Sequence, residues 1–227
     1  MTEKFSIWLL NDDNLENLKE KYLTSFAFKG LEKTENNLNT NELQFLFEGK
    51  TILVSFDKLD YEEISQATVP SIVTLAFSHA KLLSDEPIDE DNQTKEKVQN
   101  LLLLRLNNFF SYIHNNDAYS KFTQFDVFYL VSYIIEGFIR NHLLINGNKR
   151  ITFTLLLSLL LTFTNLNIKL DSNKKMTSSS IKYANEIIKF VELAHDKNNS
   201  DDILDNPVIE AILKFIFENF IINIDKI

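Results

Sequence analysis

Asn141-His142-Leu143-Leu144-Ile145-Asn146-Gly147-Asn148-Lys149-Arg150 is a polar loop between two long apolar segments, and the rest of the chain is arranged around it. One histidine, a glycine between two asparagines and a Lys-Arg pair fall within it, just before a helix is expected to begin. Backbone N–H groups at a helix N-terminus have no intrahelical partner, and the helix dipole places roughly half a positive charge there. Lys149 and Arg150 add full charges, so the stretch has the makings of an anion site. His142, at the other end of the loop, is placed to act as a base over a bound anion. Gly147 is one of four glycines in 227 residues. Without a Cβ it lets backbone approach a ligand closely or take a positive φ without strain.

His142 to Arg150 resembles the signature of the Fic/Doc (Fido) family, roughly His-x-Phe-x-Asp/Asn-Gly/Ala-Asn-Lys/Gly-Arg. The match covers His142, Gly147, Asn148, Lys149 and Arg150. Leu144 replaces the usual Phe, a change of anchor that a core can absorb. Asn146 replaces the commoner acid. Lys149 stands where the AMP-transferring branch carries Gly and the Doc (death-on-curing) branch carries Lys, so the resemblance is closer to the Doc branch.

Composition agrees with this without selecting it. A chain of this length with 44% hydrophobic residues can bury a substantial core. A formal charge of −9 argues against nucleic acid as the main partner, because phosphate backbones call for a basic face. No cysteine is present, which removes disulfides and thiol chemistry. Three prolines and four glycines are few punctuators for this length, so long helices are expected.

In chain order, the apolar run at 5–10 is too short for a signal-peptide core and reads as a docking turn or first helix. Leu15, Leu18, Tyr22 and Phe26 recur at helical steps. Residues 32–40 read as a loop, and Thr40 as the cap of a short helix through Phe47 that ends near Gly49. Ile52 and Val54 suggest a short strand. Pro70 begins a fresh helix to Leu83, and the acid-rich residues 84–96 form a charged surface loop.

Residues 97–119 divide into a helix around Val98, Leu101, Leu102 and Leu104 and an aromatic stretch, Phe109-Phe110-Ser111-Tyr112-Ile113-His114. The latter reads as a strand or hairpin, or else as a continuation of the helix. Residues 125–141 and 148–165 read as long apolar helices on either side of the loop. The uncharged run at 151–168 is 18 residues long, at the lower limit for a membrane span, but seven of its residues are polar. It fits a buried central helix better. Helices at 179–194 and from Asn206, with Pro207 in its first turn, to about Ile222 complete the chain. Histidines 79, 114 and 195 show no metal spacing, and Glu136 is expected to face solvent or pair with Arg140 four residues on.

The chain reads as all-α: the resemblance, which covers roughly residues 70–220, implies a Fic/Doc-type helical bundle with a small β-hairpin flap, and residues 1–69, which it does not cover, read as an N-terminal helical extension. The domains would be 1–69, possibly regulatory, and 70–227, catalytic. It places the target-binding flap at Asn108, Phe109, Phe110, Ser111 and Tyr112. It assigns His142 as the catalytic base, Gly147, Asn148, Lys149 and Arg150 to the nucleotide phosphates, and Asn146 to Mg²⁺. An amide oxygen coordinates that hard cation without adding charge, so metal affinity should be reduced. Glu35-Asn36 resembles the end of the inhibitory Ser/Thr-x-x-x-Glu-Gly/Asn motif of Fic proteins. The required hydroxyl is replaced by Leu31, and a solvated loop is the alternative.

The implied activity is transfer from ATP or another nucleoside triphosphate to a hydroxyl side chain of a target protein. Lys149 favours phosphotransfer. AMP transfer and a weak or inactive Fic-fold binding protein are the alternatives. The same resemblance implies a translation factor as target, an antitoxin partner and a cytoplasmic location, with a homo-oligomer left open.

Overall fold

The structure is a computed structural model that describes residues 2–10, 15–24, 32–33, 41–47, 49–59, 64, 68–83, 87–115, 126–141, 143–144, 147–168, 176–195 and 203–222. Among these the chain runs β1 (Thr2–Leu9), α1 (Leu15–Thr24), β2 (Glu32–Lys33), β3 (Glu42–Phe47), β4 (Lys50–Lys58), α2 (Val69–Leu83), α3 (Asn92–Asn115), α4 (Val127–Asn141), α5 (Asn148–Thr164), β5 (Leu166–Ile168), α6 (Met176–Ala194), α7 (Pro207–Asn219) and β6 (Phe220–Ile222).

The first region departs from the expected helical extension. Strands β1, β4, β3 and β2 form a four-stranded sheet in that order, with β1 parallel to β4 and the other pairs antiparallel. The physical reason is an alternation of period two. Leu43 and Phe45 on β3, and Ile52, Val54 and Phe56 on β4, are buried at every second residue. Gly49, expected to end a helix, has φ +78° and lies in the two-residue connection of a β3–β4 hairpin. On β1, Ile7 and Leu9 are buried, and Ile7 lies beside Phe56. Helix α1 is the helical element the periodicity placed correctly, with Leu18 buried.

From α2 onward the chain is a helical bundle. Pro70 occupies the first turn of α2, where its missing N–H costs nothing. Helix α3 extends through the segment expected to form the flap. Leu102, Leu106, Phe109 and Ile113 are buried at steps of four, three and four, so helical period overrides the strand preference of the aromatic residues. Residues 108–112 are therefore helical.

Helix α5 is the axis of the bundle. Helices α2, α4 and α6 and strand β1 pack on it, and it is buried almost all round. Three of its buried hydroxyls are satisfied within the helix: Thr154 Oγ1 donates to the Arg150 carbonyl (2.9 Å), Ser158 Oγ to the Thr154 carbonyl (2.8 Å) and Thr164 Oγ1 to the Leu160 carbonyl (2.7 Å). This explains how polar residues sit in a central helix, and among the described residues no helix is long and apolar enough to cross a membrane. Beyond α5, β5 pairs with β6 in an antiparallel two-stranded sheet. The last helix accordingly ends at Asn219 instead of Ile222.

Candidate active site

Helix α4 ends at Asn141, whose Nδ2 donates to the Gly137 carbonyl (2.7 Å). The loop then runs to α5, anchored by Leu144, which is buried in the core. Asn148 closes the loop from the other side. Its Oδ1 accepts the Leu144 N–H (2.8 Å) and its Nδ2 donates to the Leu144 carbonyl. The Asn148 side chain therefore shapes the loop.

Gly147 precedes α5 at φ +91°, a left-handed conformation that residues with a Cβ adopt only with strain. Gly147, at the cap position, has no side chain to cap this helix terminus. The first-turn N–H groups thus form the positive end of a 17-residue helix, with Lys149 exposed beside them. Arg150 Nη2 donates to the Pro87 carbonyl (3.0 Å).

That last bond identifies the segment lying against the loop, and sequence reading had missed it. Ile88 covers Gly147 so closely that a Cβ there would sit 3.1 Å from its Cγ2. The segment is held at its far end by Glu90, 2.6 Å from Lys81 Nζ, and by Asp91, whose Oδ1 accepts the Thr94 N–H (2.6 Å) at the start of α3. The hydrogen bond from the Lys81 ammonium holds the Glu90 carboxyl below its ordinary value, and the Thr94 hydrogen bonds, the backbone N–H first, do the same for Asp91. The acid-rich composition of 84–96 gave the exposure of this segment but carried no signal of where it would pack.

The structure brings together Gly147, Asn148, Lys149 and Arg150. His142, Asn146 and Glu35 lie outside the described residues. Residues 108–112 are on α3, and among the described residues Asn108, Ser111 and Tyr112 line a different cavity, with Arg105, Tyr133, Glu136 and Arg140. His114 and His195 are exposed, and no group of three or more metal-ligating side chains occurs among the described residues.

Glu136 is a further correction. It is 4% exposed instead of facing solvent, because three partners surround it. Arg105 Nη2 donates to Oε2 (2.7 Å), while Arg140 Nε and Asn206 Nδ2 (3.3 Å) donate to Oε1. Arg105 also lies over the Tyr133 ring, 3.5 Å from its centroid, and its stem crosses α4 where Gly137 leaves room. A Cβ at Gly137 would stand 2.6 Å from Arg105 Cδ. The expected Arg140 partnership is present, but nothing in the spacing pointed to Arg105 or Asn206.

A model of the Fic/DOC family matches residues 66–160, a span that includes α2 to α4, the loop and most of α5. The helical bundle is consistent with a Fic-type fold. No curated protein and no solved structure matches the chain.

Proposed function

We propose that this chain is a Fic/DOC-type transferase that moves part of a nucleoside triphosphate onto a hydroxyl of a protein target, with phosphoryl transfer as its reaction. The observation that carries this reading is the N-terminus of α5. It is opened by Gly147 in a left-handed conformation, bears Lys149 and Arg150, and lies within the span matched by the family. Phosphoryl transfer asks for positioning and charge neutralisation above all, which helix-terminal amides and two cations supply. Arg150 suits phosphate oxygens bidentately once it exchanges the Pro87 carbonyl for them, and Lys149 adds a point charge where a smaller residue would leave room for the inner phosphates.

In the proposed step the target hydroxyl oxygen bonds to the γ-phosphorus, the bridging bond to the β-phosphate breaks, and the diphosphate leaves. His142 accepts the hydroxyl proton, a contribution typically worth about 10² to 10⁴ in rate. Mg²⁺, which neutralises phosphate charge when bound, is offered only a neutral amide oxygen by Asn146. Most of its ligands would therefore come from the nucleotide. The same asparagine favours a second reading, a weakly active or inactive binding protein. The target wall is proposed to be Pro87 and Ile88, which lie against the loop, and a translation factor and an antitoxin are the partners the motif suggests.

The test is incubation of the protein with candidate targets and ATP labelled at either the α or the γ position, alongside His142→Ala. Label from γ in the target, lost in the variant, supports phosphotransfer. Label from α means AMP transfer. Nucleotide binding without either label supports the binding protein.

A further inference from the structure

Residues 87–91 form a strap against the start of α5, and its two ends are held in different ways. The far end is built into the bundle. Glu90 lies 2.6 Å from Lys81 Nζ in the last turn of α2. Asp91 caps α3, its Oδ1 accepting the Thr94 N–H (2.6 Å) and its carbonyl the Lys95 N–H (3.0 Å). Lys95 in turn lies over the Phe77 ring, 5.7 Å from its centroid, a further tie between α3 and α2.

The near end rests on groups assigned to the nucleotide. Arg150 Nη2 donates to the Pro87 carbonyl (3.0 Å). The Ile88 side chain lies on Gly147, its Cγ2, Cγ1 and Cβ standing 3.1, 3.4 and 3.6 Å from where a Cβ would be. Ile88 is half-buried there, whereas Pro87 is exposed. Strap and phosphate thus make opposing claims on one guanidinium. The Pro87 carbonyl offers it a neutral oxygen; a phosphate offers charged oxygens spaced to meet its fork, and makes the stronger bond.

We infer that the strap is a latch on the nucleotide site. Arg150 and Ile88 hold it shut, and a polyphosphate that takes Arg150 releases the Pro87 end, which swings about the fixed Glu90 and Asp91 end. The inference rests on the proposed reading of this site as one for nucleotide, and it adds an order of events. Because Pro87 and Ile88 are also the proposed target wall, that wall moves only once the phosphates have taken Arg150, so nucleotide precedes target. The coupling is reciprocal: a strap that opens more easily is displaced at less cost, and the polyphosphate then binds more tightly.

The experiment uses the full chain with inorganic tripolyphosphate and with ATP. The sequence has no cysteine, so Ile88→Cys places a single thiol on the strap against Gly147. Its rate of reaction with a neutral maleimide reads how far the strap is open. Saturating tripolyphosphate or ATP should speed that reaction at least fivefold, and adding Arg150→Ala should make it fast without ligand. In a second arm, Ile88→Ala, which thins the cover on Gly147, should bind tripolyphosphate at least threefold more tightly than the unaltered chain by calorimetry. Binding that leaves the maleimide rate unchanged or slower, a thiol that stays slow with Arg150→Ala, or equal or weaker affinity in Ile88→Ala each overturns the latch and leaves the nucleotide reading standing. A chain that binds neither tripolyphosphate nor ATP overturns both.

Discussion

Gly147 shows how much one residue can decide. At φ +91° it starts α5, and Ile88 occupies the space where a side chain would begin. Gly147→Ala should therefore cost about 1–2 kcal/mol from the left-handed backbone alone, and more if Ile88 cannot yield, as measured by urea unfolding. Nucleotide affinity should fall with it. Glu136 is the second such residue. Glu136→Ala removes the buried carboxylate that Arg105 and Arg140 share, and the expected loss is about 3–5 kcal/mol; a drop under 1 kcal/mol would show that the cluster is more hydrated than its burial indicates. His79 sets a pH dependence. Burial lowers its pKa below the ordinary 6.5, so the folded chain favours the neutral ring. The unfolded chain then binds more protons below pH 6.5, and stability should decline as pH falls from 6.5 toward the lowered value. His79→Gln should flatten that slope in a series of denaturant titrations.

Among the elements, α4 depends most visibly on its first turn. Asp126 is buried, and its Oδ1 accepts the N–H groups of Phe128 and Tyr129, both at 3.0 Å. Asp126→Ala should cost about 1–2 kcal/mol, while Asp126→Asn should retain most of the stability; thermal unfolding of both variants distinguishes a cap from a charge effect. The elements also show what could be read in advance. The helices flanking the loop were legible because Phe128, Val131, Ile135, Phe138 and Ile139 keep helical period over several turns. Residues 108–112 were ambiguous, since Phe and Tyr suit either state and only packing against α4 decides. Residues 40–47 were misread because a threonine cap and a following glycine fit a short helix as well as a hairpin, and the alternation of Leu43 with Phe45 is too brief to arbitrate. The strap at 87–91 had no periodic signal at all, so its contact with Gly147 and Arg150 could come only from the tertiary structure.

On the scale of the whole molecule, the amino-terminal sheet is joined to the helix that carries the loop. Trp8 Nε1 donates to the Thr162 carbonyl (3.2 Å), and Asn165, left-handed at φ 53° after α5, donates from Nδ2 to the Ser6 carbonyl. Neither bond was readable in sequence, because the partners lie more than 150 residues apart. Strand β1 must also find β4, with Ser6 and Ser55 49 residues apart, in a parallel pairing that no tight turn can nucleate. The closing of such distant segments is the slow part of acquiring a fold. Until it happens, Phe5, Ile7, Trp8 and Leu9 form a greasy edge that is exposed to neighbouring chains at high concentration. Dilute, cool refolding should therefore recover more native protein than concentrated, warm refolding.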